Sequence, residues 1–136
     1  MKLKLGYQAL IAQAMAQIET LPLEQAHSLL DDLNTVFVDI RDVRELEREG
    51  MIPNAYHAPR GMLEFWVDPD SPYYKPVFGE DKRLILYCAS AWRSALAAET
   101  LQKMGVPNVC HLEGGFNAWK NAALPVTEKR SKPQPS

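Results

Sequence analysis

Leu84-Ile85-Leu86-Tyr87-Cys88-Ala89-Ser90-Ala91-Trp92-Arg93-Ser94 is the stretch on which the fold turns. Residues 84–87 are an unbroken apolar and aromatic run, the pattern of a strand covered on both faces. From Ser94 to Met104 the pattern changes: Leu96, Ala97, Thr100, Leu101 and Met104 recur at helical spacing, and Gly105 follows as a stop. A buried strand that turns through a short loop into an amphipathic helix is half of a β-α-β unit. Such units build parallel sheets through right-handed crossovers.

The same alternation extends in both directions. Thr35-Val36-Phe37-Val38-Asp39-Ile40 reads as a second buried strand, Val109 to Leu112 as another, and Ala55 to Ala58 as a short one. Helices are expected over Glu24 to Leu30, over Val43 to Glu49 closed by Gly50, over Gly61 to Trp66, and over Phe116 to Ala122 ahead of Pro125. Near the N-terminus, Tyr7, Ile11, Ala14, Met15 and Ile18 share one helical face, and Leu21-Pro22-Leu23 breaks that pattern. Asp68 to Gly79 is dense in turn-forming residues and is read as a loop. The expectation is an α/β domain: a central, mostly parallel sheet of about five short strands with helices on both faces. Residues 1–19 form an N-terminal helical extension, 20–126 the domain, and 127–136 a polar, flexible tail.

Composition narrows the function. The chain has 136 residues, 46% hydrophobic and 24% charged, which suits one globular domain. Its net charge of −2 lacks the basic excess of a general nucleic-acid binder. Two cysteines cannot form a disulfide framework, and no apolar run approaches the length of about 18 residues that a membrane span needs. Gln8, Gln13 and Gln17 interrupt what a signal peptide would keep apolar, so the expected location is cytoplasmic.

Ligands of parallel sheets bind beyond the carboxyl ends of the strands. That rim carries Arg41 and Asp42, then Cys88 to Arg93, then Glu113-Gly114-Gly115. Cys88 stands between a strand end and a helix start. Unpaired amides and the helix dipole favour negative charge there, and a thiol so placed has its thiolate favoured. Arg93 adds a fixed positive charge. The loop is suited to a nucleophilic sulfur.

Four segments in order resemble the rhodanese (sulfurtransferase) family: Val38-Asp39-Ile40-Arg41, Gly50-Met51-Ile52-Pro53-Asn54-Ala55, Cys88 to Ser94, and Gly114-Gly115-Phe116-Asn117-Ala118-Trp119. The resemblance implies a sulfane sulfur carried as a persulfide on catalytic Cys88, with Arg93 at the loop end. It implies substrate contacts from Ala89, Ser90, Ala91 and Trp92, and no metal or organic cofactor. The implied donor is thiosulfate or a persulfide, and the acceptor a thiol or a cyanide-like nucleophile. A protein sulfur carrier is a further candidate partner, and a homodimer is compatible with the family. Nucleic acid and membrane are not implied. Only four residues separate Cys88 from Arg93, which favours sulfur over the phosphoryl group handled by related phosphatases and arsenate reductases with a longer loop. The alternative is a rhodanese-like interaction module with vestigial transfer activity.

The remaining residues divide between support and substrate. Asp39 and Arg41 are expected to support the rim, Arg41 by pairing with an acid such as Glu45. Arg60, after Pro59, is a candidate contact for a donor anion. Ala91 replaces a glycine common in the family, so a left-handed backbone there costs roughly 1 kcal/mol. Cys110, in a strand, reads as core. His27, His57 and His111 show no metal-ligand spacing.

Overall fold

The computed structural model describes residues 1–129. Five parallel strands form one sheet in the order β1-β5-β4-β2-β3. They are β1 (Glu19–Leu21), β2 (Thr35–Asp39), β3 (Tyr56–His57), β4 (Arg83–Tyr87) and β5 (Val109–Leu112). Among the described residues six α-helices accompany them: α1 (Tyr7–Gln17), α2 (Leu23–Ser28), α3 (Val43–Glu49), α4 (Leu63–Val67), α5 (Trp92–Lys103) and α6 (Gly115–Asn121). Alternation along the central strands feeds two cores. Val38, Leu84 and Leu86 join Leu63, Ala97, Ala98 and Leu101 on one face, under α4 and α5. Phe37, Ile85 and Tyr87 join Ala26, Phe116 and Trp119 on the other, under α2 and α6. Helix α1 packs on α5.

The sheet, its parallel sense and its helical layers are those expected from the sequence, with several local corrections. Strand β1 was not expected. It is a three-residue edge strand in which only Leu21 is buried, too short for a period-2 signal. Helix α5 begins at Trp92, two residues before the expected start at Ser94, so Trp92 and Arg93 belong to its first turn. The helix expected from Gly61 splits into a 3-10 turn, Arg60–Met62, followed by α4. The loop ending at Gly79 closes with another 3-10 turn, Pro76–Gly79. Thr127, assigned to the tail, instead pairs with Met51 as an isolated antiparallel bridge, with N···O distances of 2.8 and 2.9 Å. Residues 130–136 of that expected tail lie outside the described residues. No helix among the described residues is long and apolar enough to cross a membrane.

Candidate active site

Cys88 follows β4 directly and is fully buried, in the same apolar cluster as Val38 and Leu86. Its sulfur accepts the backbone N–H of Ser94 at 3.4 Å. That amide is one of the four that α5 leaves unpaired at its start. Ala91, the residue preceding the helix, has only a methyl group and makes no side-chain cap. The Cys88 sulfur therefore does what an N-cap oxygen does elsewhere. Ala91 adopts φ 72°, ψ 4°, the left-handed geometry anticipated as the cost of having alanine there.

The loop is held from outside by α6. Phe116 N–H donates to the Cys88 carbonyl at 2.8 Å and Asn117 N–H to the Ala89 carbonyl at 3.0 Å. A trans peptide places its N–H opposite its C=O. With these carbonyls turned to α6, the amides of Ala89 and Ser90 face away from it. Gly115 makes the approach possible: a Cβ on it would stand 2.6 Å from the Ala89 oxygen and 2.8 Å from the Cys88 oxygen.

Arg93 does not present an unpaired charge. Its guanidinium grips Glu45 of α3 in a fork, Nη1 to Oε2 at 2.9 Å and Nη2 to Oε1 at 3.0 Å. The hydrogen bond to Glu45 raises the Arg93 pKa, and the same bond holds the Glu45 carboxyl below its usual range. Glu45 Oε2 also accepts the Asp42 N–H at 2.9 Å, completing a capping box on α3.

The expected Arg41–Glu45 pair is thereby corrected. Arg41 bonds Asp39 instead, through Nη2 at 2.7 Å and Nε at 3.0 Å, and both side chains are fully buried. Asp39 reaches it from two residues away at the end of β2, whereas Glu45 is committed to Arg93. Burial opposes the charge on Arg41, but the hydrogen bond and charge of Asp39 prevail and its pKa is raised. Arg60 is engaged by Glu64 at 2.6 Å, one helical turn on. Its backbone N–H donates to the Ile40 carbonyl, which places it on the rim. Trp92 is half-exposed and rests on Tyr7 of α1, with ring centroids 5.2 Å apart. Cys110 lies in the core of the opposite face from Cys88, and burial pushes its thiol pKa up. Among the described residues, no three His, Cys, Asp or Glu side chains gather as a metal-binding group.

A family model described as a rhodanese-like domain matches residues 22–122. The chain belongs to the rhodanese-like domain family. A sulfurtransferase of Allochromatium vinosum is 32% identical over 98 residues, covering 72% of this chain and 83% of its own length. The protein slr1261 of Synechocystis sp. is 37% identical over 98 residues, again 72% of this chain, and this chain spans half of that relative's length. A solved structure from Rhodopseudomonas palustris, described as a possible tyrosine phosphatase of unknown function, is 49% identical with a TM-score of 0.90. That match covers 93% of this chain and 98% of the other. The family match begins at Pro22, so α1 and its Tyr7 lie outside it.

Within this rhodanese-like domain, Gly115 and Gly105 offer a controlled comparison. Both have positive φ, 67° and 90°, but a Cβ on Gly105 would meet nothing within 4 Å. Gly105→Ala should therefore cost only the left-handed backbone penalty, about 1–2 kcal/mol. Gly115→Ala should cost more, because it also drives the Cys88 loop off α6, and it alone should slow Cys88 alkylation. Denaturant midpoints and peptide-resolved alkylation rates test this; equal losses in the two variants would refute the tight loop contact.

Several of these partners were missed from the sequence. Glu45 carried a usable signal, standing three residues after Asp42 in the capping-box pattern. The loop-holding amides of Phe116 and Asn117 had none, since a backbone donor leaves no trace in residue type.

Proposed function

We propose that the protein is a sulfurtransferase that carries sulfane sulfur as a persulfide on Cys88. The observation that carries this reading is the Cys88 sulfur acting as acceptor at the start of α5, 3.4 Å from the Ser94 amide. In the first step, the Cys88 thiolate attacks the outer sulfur of the donor. A bond from Sγ to that sulfur forms, the donor's sulfur–sulfur bond breaks, and the remainder leaves with the electron pair as a thiolate, or as sulfite when the donor is thiosulfate. In the second step, an acceptor thiolate or cyanide-like nucleophile attacks the terminal sulfur and returns Cys88 as thiolate. The amides of Ala89 to Arg93 stabilise the charge on the transferred sulfur. A buried sulfur under a loop with four residues between Cys88 and Arg93 suits a single sulfur atom better than a bulkier phosphoryl group, which argues against a phosphatase reading.

The ion pairs point to the donor. Arg93 is matched by Glu45 and Arg60 by Glu64, so the rim offers little surplus positive charge to the thiosulfate dianion. Desolvating that dianion costs more than desolvating a neutral or singly charged persulfide. Half-exposed Tyr7 and Trp92 add apolar surface for a larger leaving group or a protein carrier. Low-molecular-weight persulfides are therefore the preferred donors, with a thiol as acceptor. Intact-mass measurement after exposure to each donor tests the reading: one added sulfur atom on Cys88, formed faster from persulfide than from thiosulfate, is expected. Efficient thiosulfate turnover without preference for persulfide would reject the donor assignment, and no adduct from any donor would reject the function.

Glu45→Gln sharpens the test. Glutamine preserves the capping box but leaves Arg93 with an uncompensated charge. Thiosulfate kcat/KM should rise several-fold, in keeping with roughly 1 kcal/mol for one partly exposed charge, and persulfide kcat/KM should change little. A fall for both donors would mean that the Arg93–Glu45 pair acts only by holding the loop.

A further inference from the structure

A buried chain of polar side chains lies beneath the first turn of α5. His111, in β5, is fully buried. Its Nδ1 lies 3.0 Å from Ser94 Oγ and its Nε2 lies 2.9 Å from Thr20 Oγ1. Thr20 sits opposite His111 in the β1–β5 register. Burial lowers the ring's pKa to about 4, so it is neutral near pH 7. A neutral imidazole has one donor and one acceptor nitrogen, and a hydroxyl on each side satisfies both in either tautomer.

At the far end of this chain stands the residue that faces the nucleophile. Ser94 gives its hydroxyl to the His111 contact and its backbone N–H to the Cys88 sulfur. A serine in the first turn of a helix otherwise turns its hydroxyl to nearby backbone groups. The residue before α5 supplies no side-chain cap that would fix that turn. An N–H···S contact weakens steeply as its angle closes, so small rotations of the turn matter. An apolar residue at position 111 would fill the core without desolvating an imidazole. The ring instead ties β5 and β1 to the turn that aims at Cys88.

We propose that His111 is a positioning residue for Cys88, its Nδ1 holding the Ser94 hydroxyl and thereby keeping the Ser94 amide directed at the sulfur. The proposal rests on Cys88 being the reacting group and names a residue that none of the four resemblance segments contains.

Two substitutions separate the two ends of the ring. The amide of His111→Asn lies near the Nδ1 position and can still meet Ser94. The longer amide of His111→Gln lies near the Nε2 position and meets Thr20 instead. Each keeps one buried partner and loses the other, so similar stability losses are expected. Cys88 reactivity should differ. Alkylation of Cys88 by iodoacetamide, followed by peptide mass, and kcat with a persulfide donor should stay within about twofold of the unmodified protein in His111→Asn. Both should fall about tenfold in His111→Gln and in Ser94→Ala, with KM unchanged. Combining Ser94→Ala with His111→Gln should slow Cys88 no further, because both remove one contact. Should a His111 variant fail to fold, Ser94→Ala carries the test alone, and unchanged Cys88 reactivity in it overturns the proposal. Equal slowing in the Asn and Gln variants, or additive slowing in the double variant, also overturns it. If no donor adds sulfur but the alkylation difference persists, the transfer reading falls and the positioning role stands. If sulfur is added without that difference, the positioning role falls alone.

Discussion

Cys88→Ser should abolish both sulfur uptake and turnover, with rates at the uncatalysed background. Serine keeps an oxygen that can accept the Ser94 N–H now given to the Cys88 sulfur at 3.4 Å, so the start of α5 stays capped. What is lost is the polarisable thiolate, since an alcohol is barely ionised near neutral pH and forms no stable sulfane adduct. The variant should therefore fold with a denaturant midpoint close to that of the unmodified protein while gaining no sulfur by intact mass. Cys110→Ser supplies the contrast. It places a hydroxyl in the core of the opposite sheet face and should cost roughly 1–3 kcal/mol of stability, yet leave turnover largely intact. Equal loss of turnover in the two variants, with both folded, would remove Cys88 from the role of nucleophile.

The strand-end cysteine was legible from sequence and its surroundings were not. Leu84 to Tyr87 could be read as a doubly covered strand because β4 is central and both faces are buried. The helix after it was legible because Ala97, Ala98 and Leu101 line one face of α5 against the sheet. Together they placed Cys88 at the carboxyl end of a central strand without reference to tertiary structure. Strand β1 was invisible for the opposite reason: it lies at the sheet edge, three residues long, and its pairing with β5 is a long-range event. The pairing of charges was equally hidden. Arg41 lies four residues before Glu45, and sequence proximity suggested a partnership. Instead the buried carboxylate of Asp39 claims Arg41, and α3 turns Glu45 toward Arg93, 48 positions away. Sequence spacing identifies candidate ions; burial decides which of them must pair.

That exchange has a consequence for the loop itself. With Glu45 on Arg93, α3 is tied to the first turn of α5, and with α6 amides on the Cys88 and Ala89 carbonyls, the loop is gripped from a second side. Arg93 thereby braces two helices as well as carrying the positive charge expected of it at the loop end. At the sulfur, the Ser94 amide at the start of α5 adds an oriented dipole to the nearby Arg93 charge.

Asp39→Asn should be the most damaging isosteric change outside the loop, costing about 3–5 kcal/mol. The substitution preserves size but removes the charge that neutralises a fully buried guanidinium. Arg41 has little else to rely on. Its Nη2 also donates to the Gly50 carbonyl at 2.8 Å, Glu49 is 3.9 Å from its Nη1, and among the described residues that Nη1 has no hydrogen-bond partner. The guanidinium lies over the Phe116 ring at 4.3 Å, and Phe116 donates its N–H to the Cys88 carbonyl. Displacement of an unpaired Arg41 toward water would therefore disturb the support of the active loop, and Cys88 alkylation should slow along with the loss of stability. A double variant, Asp39→Leu with Arg41→Met, separates charge from packing. Removing both ions leaves no uncompensated charge, so it should recover much of the stability that Asp39→Asn loses. Denaturant midpoints of the three proteins measure this. A loss below about 1 kcal/mol in Asp39→Asn, or a double variant less stable than the single one, would mean that Arg41 is held by its packing on Phe116 and not by Asp39.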